Sequence, residues 1–146
     1  MITLVLIAHG ISTVAMTGVI WFVQVVHYPL FQKIPAEQFV VYEKAHTLRT
    51  GLVVMPLMTI ELITAILLVM YLDSTVWYLS YELGLGLLLL IWLVTLLVFA
   101  PMHGKLCDGY DNGTIRRLLK LNWVRTIVWS LRSVMVSLLI VKEITA

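Results

Sequence analysis

The chain has 146 residues, of which 61% are hydrophobic and only 12% are charged, and its mean hydropathy is +0.99. A soluble domain is roughly half apolar and about one quarter charged, and a chain this short has no interior large enough for so many apolar side chains. Composition therefore excludes a soluble globular enzyme, a disordered chain and a nucleic-acid-binding protein. It predicts a single integral membrane domain over residues 1–146, in contact with the lipid bilayer.

Four segments are apolar over the roughly 20 residues that a helix needs to cross a bilayer. They cover residues 3–27, 48–71, 77–99 and 122–141. Their apolar runs are continuous rather than alternating, which favours helices over strands, and helices satisfy their own backbone hydrogen bonds inside lipid. The sequence thus predicts an all-α fold, a four-transmembrane-helix bundle. The first segment lacks the basic start of a signal peptide and is expected to be retained.

The links between the spans also carry signals. A tight turn is expected at residues 72–76, and the third span is expected to end at Pro101. Pro35 in the first long link is typical of a helix start, so residues 35–46 should form an interfacial helix or extend the second span. In the second long link, Thr114 is a candidate N-cap that would start the fourth helix near residue 115.

The basic residues indicate an orientation. The two longer links and their flanks hold eight Lys and Arg residues: Lys33, Lys44, Arg49, Lys105, Arg116, Arg117, Lys120 and Arg125. The opposite side holds only Lys142. Because cytoplasmic loops carry an excess of Lys and Arg, both termini are expected on the non-cytoplasmic side of a cell membrane, with a bacterial inner membrane favoured.

Polar groups inside a membrane are costly and usually face the bundle interior, so they indicate function. The topology brings six of them to the cytoplasmic side: His27, His46, Arg49, His103, Asn122 and Arg125. The three histidines are candidate ligands for haem or a transition metal. Five of the six are candidate catalytic residues: His46, His103, Arg49, Arg125 and Asn122. The alternative is a set of interfacial histidines and snorkelling arginines without catalytic function.

A second polar pair lies deeper. Glu61 is near the middle of the second span and Arg132 near the middle of the fourth. Each would be very costly alone in lipid, so a buried ion pair is expected. It would act as a structural clamp, with a proton relay or an anion site as the functional alternative. Pro56 should kink the second span close to this pair.

These residues give the chain a resemblance to the small four-helix membrane proteins grouped with the anthrone oxygenases. The shared pattern is short and falls at the ends of the helices, in four segments: His27-Tyr28-Pro29; Phe39, Tyr42, His46 and Arg49 followed by Pro56; Pro101-Met102-His103-Gly104-Lys105-Leu106; and Asn122-Trp123-Val124-Arg125-Thr126. The resemblance implies a four-helix fold and oxidation of polycyclic aromatic anthrones to quinones with dioxygen. A weaker similarity is to the four-helix, haem-linked protoporphyrinogen oxidases.

The chain departs from the anthrone-oxygenase pattern at two positions. His103 stands where that family often has Asn, and Asn122 stands where it often has His. The fourth motif is also one residue tighter. Since many members have no assigned activity, the substrate does not carry over from the resemblance.

Three functions follow as hypotheses. The first is an oxidoreductase acting on a lipophilic or aromatic compound: His46 or His103 removes a proton next to a carbonyl, and Arg49 and Arg125 stabilise the enolate. Dioxygen then reacts without a cofactor, or with haem or a transition metal bound to the histidines. The second is a non-enzymatic subunit or assembly factor of a larger membrane complex. The third is transport through Glu61 and Arg132, which would need a homo-oligomer.

Overall fold

The computed structural model describes residues 2–71 and 78–145, which form four long helices. The first, α1, comprises Ile2–Phe22, a π-helical turn at Val23–His27, and Tyr28–Phe31. The second, α2, is continuous over Ala36–Tyr71. The predicted turn at residues 72–76 and Trp77, the predicted start of the third span, lie outside the described residues.

The third helix, α3, comprises Tyr78–Val94, a second π-helical turn at Thr95–Phe99, and Ala100–Asp108. The fourth, α4, is continuous over Asn112–Thr145. Each of the four is long and apolar enough to cross a membrane. The predicted all-α fold with four span-length helices is therefore confirmed.

The helices extend well beyond the predicted spans. Residues 36–46 extend the second helix rather than form a separate one, and only residues 32–35 separate α1 from α2. The third helix does not end at Pro101, because α3 continues to Asp108. The long links of the sequence are thus largely helical, and the bundle is taller than the apolar segments alone indicate.

Both π-helical turns end two residues before a proline, at Pro29 and at Pro101. A proline has no N–H group, and its ring crowds the carbonyl four residues earlier. In each turn an amide bonds a carbonyl five residues back, from Tyr28 to Val23 and from Ala100 to Thr95. The wider turn accommodates the proline ring and lets the helix continue.

The start of α4 also differs from its prediction. The helix begins at Asn112, so Asp111 rather than Thr114 occupies the capping position. Asp111 Oδ1 accepts the Gly113 N–H at 2.9 Å, and Oδ2 accepts the Thr114 hydroxyl at 2.7 Å. The Lys105 ammonium lies 2.5 Å from Asp111 Oδ2 and holds the pKa of this carboxyl below its usual range.

The helix α1 is central to the packing and makes its largest contacts with α2 and α4. A β-carbon at Gly10 would lie 2.5 Å from Ile140 Cδ1, so this glycine lets α1 and α4 approach closely. Large apolar side chains such as Leu4, Leu79 and Leu97 are exposed on the outer surface. This surface is compatible with contact to lipid.

Candidate functional site

A cavity of about 370 Å³ opens inside the bundle, within the size range of small-molecule sites. Apolar side chains cover most of its wall, among them Met16, Ile20, Val54, Phe99 and Trp129. One end carries polar groups from all four helices: Tyr28, His46, His103 and Arg125. Both π-helical turns contribute to the wall, through Val23 and through Thr95. An apolar chamber with one polar end is suited to a lipophilic compound that carries a polar group.

Tyr28 joins two of the predicted site residues. Its hydroxyl lies 3.0 Å from His103 Nε2 and 3.3 Å from Arg125 Nη2, which donates to it. The Tyr28 side chain is 2% exposed, so this chain of hydrogen bonds runs through the interior. Tyr28 was not among the predicted site residues. Its position before Pro29 was visible in the sequence, but the π-helical turn that rotates it inward was not.

Arg125 is held in place from two sides. Its Nε and Nη2 groups donate to Asn122 Oδ1 at 3.0 and 2.6 Å, and its guanidinium lies 3.6 Å from the centre of the Phe99 ring. Asn122 Nδ2 in turn donates to Gln24 Oε1 at 2.9 Å. Asn122 is fully buried, so it positions Arg125 rather than contacts a ligand in the cavity.

Two donors at the cavity have unused hydrogen-bonding capacity. Within residues 2–71 and 78–145, the Nη1 group of Arg125 makes no hydrogen bond, and the Thr95 hydroxyl is buried without a partner. Both residues line the cavity. A buried polar group such as the Thr95 hydroxyl is nearly always satisfied, by protein, water or ligand. These donors therefore offer hydrogen bonds to a ligand oxygen.

The three predicted histidines lie together with one carboxylate. We call His27, Glu43, His46 and His103 the histidine cluster. His27 Nε2 lies 2.7 Å from His46 Nδ1, which also lies 3.0 Å from the Thr50 hydroxyl. The ring centres of His46 and His103 are 5.3 Å apart. The structure thus brings side chains of α1, α2 and α3 into one group beside the cavity.

Glu43 is the member of the cluster that was expected near these residues but not among the site residues. It is fully buried, and its Oε1 lies 2.5 Å from His103 Nδ1. In the part of the chain that the structure describes, its Oε2 has no hydrogen-bond partner. One potential ligand atom from each of Glu43, His46 and His103 lies within 4.8 Å of the other two. The spacing of Glu43 and His46, three residues apart on one helix, was the available signal.

Arg49 does not join this group. It is exposed and lines an outer groove of about 440 Å³ together with His27, Thr50 and Val53. Among the described residues, no hydrogen bond or ion pair links its guanidinium to the histidine cluster. Helix periodicity placed Arg49 near His46, but its longer side chain turns to the outside of the bundle, as a snorkelling arginine does.

The deeper pair lies apart from the cavity's polar end. Arg132 Nη2 lies 2.9 Å from Glu61 Oε1, and both side chains are at most 2% exposed. Glu61 also accepts the Thr13 hydroxyl at 2.8 Å and the Trp129 indole N–H at 3.1 Å. Arg132 donates to the Gly84 carbonyl as well. With these contacts the pair ties all four helices together, which favours the structural clamp over transport.

No family model, no curated protein and no solved structure matches the chain.

Proposed function

We propose that this protein is a membrane-embedded oxidoreductase of the oxygenase type, acting on a lipophilic carbonyl compound in the bundle cavity. The observation that supports this most is the composition of the cavity wall. An apolar chamber of about 370 Å³ ends at Tyr28, His46, His103 and Arg125, inside helices long enough to cross a membrane. A lipophilic compound can enter such a chamber from the bilayer and place one oxygen at the polar end.

The guanidinium of Arg125 is the group that binds the carbonyl oxygen. Its free Nη1 faces no protein acceptor among the described residues, while Asn122 fixes the other side of the group. A preorganised cation in a water-poor site stabilises an enolate oxygen far better than water does. Arg125 therefore promotes loss of a proton from a methylene group conjugated to that carbonyl.

The proton passes to the hydrogen-bonded pair of Tyr28 and His103. Tyr28 lies between Arg125 and His103, so it can take a proton from the cavity while it hands its own to the imidazole. Dioxygen then oxidises the carbanion: one oxygen atom becomes a second carbonyl, and the other leaves as water with both methylene hydrogens. The net reaction consumes one dioxygen for each methylene oxidised.

We also propose that this polar end faces the cytoplasm of a bacterial inner membrane. Eight of the ten Lys and Arg residues lie in the links and helix ends on this side of the bundle. The positive-inside rule then places both termini on the other side.

Oxygen uptake by the detergent-purified protein tests the proposed function. The substrate is an anthrone-like compound, and the variants are Arg125→Met and, as a matched control, the exposed Arg116→Met. We expect stoichiometric uptake by the wild type and the control, and a loss of about 100–1000-fold in Arg125→Met, the typical effect of one oxyanion donor. Uptake no faster than in protein-free detergent would count against the enzyme. If oxygen uptake is absent and a stoichiometric partner protein co-purifies, the chain is a non-enzymatic subunit of a membrane complex.

A further inference from the structure

We infer that Glu43, His46 and His103 form a binding site for a first-row divalent transition-metal cation. This goes beyond the proposed function and rests on it for the cavity, which His46 and His103 line. The transfer of a proton from Tyr28 to His103 Nε2 belongs to the metal-free protein, because a cation on Nδ1 leaves the imidazole proton on Nε2. The three residues supply two imidazole nitrogens and one carboxylate oxygen, all within 4.8 Å of one another. Ligands of a cation with bonds of about 2.1 Å lie roughly 3–4 Å apart, so small side-chain movements close the site.

Glu43 has one carboxylate oxygen without a partner among the described residues. A fully buried carboxylate needs a partner for each oxygen, since an unpaired buried charge is strongly unfavourable. Oε1 has His103 Nδ1 at 2.5 Å, but Oε2 has no partner in the described part of the chain. Hydrogen bonds within the protein therefore satisfy only half of this group. A cation bound to the carboxylate satisfies the rest.

The imidazoles of His46 and His103 both have outer hydrogen-bond partners. A metal-bound histidine usually hydrogen-bonds a second group through its other ring nitrogen, which fixes the ring. His103 has the Tyr28 hydroxyl at Nε2, which leaves Nδ1 toward Glu43. His46 has His27 and the Thr50 hydroxyl at Nδ1, which leaves Nε2. His46 Nε2 is therefore available as a ligand atom, and at His103 a cation would replace the proton that Nδ1 shares with Glu43 Oε1.

This ligand set differs from the one expected from the sequence. The sequence placed His27, His46 and His103 around a haem or metal, because three helices end at the same membrane face. The structure puts His27 in contact with His46, where it acts as an outer partner, and puts Glu43 against His103. Two histidines and one carboxylate with open positions are the ligands that non-haem Fe(II) oxygenases use. Zn²⁺ and Co²⁺ accept the same donors.

Cobalt binding by the chelator-stripped protein tests the site without any assay of activity. Co²⁺ is the probe, because its visible absorption reports the number and type of its ligands. We expect one equivalent to bind the wild type and the control Glu37→Gln, an exposed carboxylate on the same helix. Glu43→Gln and His103→Ala should lose the absorption. His27→Ala should keep it with affinity weaker by about 10–100-fold, the usual effect of an outer partner.

Several results would overturn the site. They are the absence of a cobalt signal in the wild type and its persistence in Glu43→Gln. Complete loss of the signal in His27→Ala would also contradict the site, because it would make His27 a ligand rather than an outer partner. Glu43→His guards against a folding defect, since it replaces one ligand by another and should restore the cobalt signal that Glu43→Gln loses. Binding of the lipophilic compound is measured on the same samples. Ligand binding without cobalt would reject the metal site alone, and cobalt without ligand binding would reject the proposed function alone.

Discussion

The hydroxyl of Tyr28 lies 3.0 Å from Nε2 of His103, although 75 residues separate them in the chain. A π-helical turn precedes each residue on its helix: Val23–His27 ends directly before Tyr28, and Thr95–Phe99 ends four residues before His103. Such turns are uncommon and occur frequently at functional sites. Here each also accommodates a proline, so the feature that lets the helices continue also turns side chains toward the cavity.

Replacing Tyr28 with Phe tests the relay between Arg125 and His103. The variant keeps the ring and removes the hydroxyl, so His103 Nε2 and Arg125 Nη2 each lose one hydrogen bond. We expect turnover to fall about 100-fold or more, within the range for loss of a general acid–base group, while ligand affinity changes little. Oxygen uptake measures the first and tryptophan quenching the second. Trp129 lines the cavity and reports a bound compound. Unchanged turnover would remove Tyr28 from the mechanism.

Filling the cavity should exclude its ligand. Gly51 lines the cavity, and a β-carbon added at this position would have no other atom within 4 Å. We expect Gly51→Leu to fold normally and to bind lipophilic compounds at least about tenfold more weakly, which is 1.4 kcal/mol. Gly86→Leu is the matched control, because Gly86 has the same free space but lies outside this cavity. Equal affinities in both variants would mean that the compound binds elsewhere.

The Glu61–Arg132 pair should be a major source of stability. Glu61→Gln leaves a guanidinium that is 2% exposed without its counter-charge, and breaking a buried ion pair in this way costs about 3–5 kcal/mol. Thermal unfolding in detergent should show a large fall in Tm. Glu82→Gln, an exposed carboxylate on α3, should have almost no effect. If the two variants unfold at the same temperature, the pair does not clamp the bundle.

The proposed orientation can be read from cysteine labelling. Cys107 is the only cysteine, so Cys107→Ser gives a clean background. A cysteine at the exposed position Asp108 should react with a membrane-impermeant maleimide only after the cells are opened. A cysteine at the exposed position Glu143 should react in intact cells. The reverse pattern would place the polar end of the cavity outside the cytoplasm.

The sequence predicts the fold better than it predicts helix lengths. Four long apolar runs suffice for four membrane-span helices, because only helices satisfy the backbone in lipid. The continuation of α3 past Pro101 was missed, because a proline usually ends or kinks a helix and nothing in the local sequence announces a π-helical turn. The start of α4 was misplaced because Asp111 and Thr114 are both good capping residues, and Lys105 beside Asp111 is visible only in three dimensions.

The sequence likewise predicts only part of the candidate site. Span ends predict that His27, His46 and His103 share one membrane face, and the high energy of a lone charge in lipid predicts that Glu61 meets Arg132. The rotation of each helix does not follow from these arguments. Rotation directs Glu43 and Tyr28 inward and Arg49 outward, so the burial of Glu43, its contact with His103 and the relay were found only in the structure.

The central claim is that a lipophilic carbonyl compound occupies the bundle cavity, and photo-crosslinking tests it most directly. Benzophenone is both an aromatic ketone and a photo-crosslinker, so it can serve as ligand and label in one experiment, with peptide mass spectrometry to locate the adducts. We expect adducts at buried or half-buried cavity residues, above all Met16, Ile20 and Val54, and their loss in Gly51→Leu. Adducts confined to the outer surface, at residues such as Leu4 and Leu97, would contradict it.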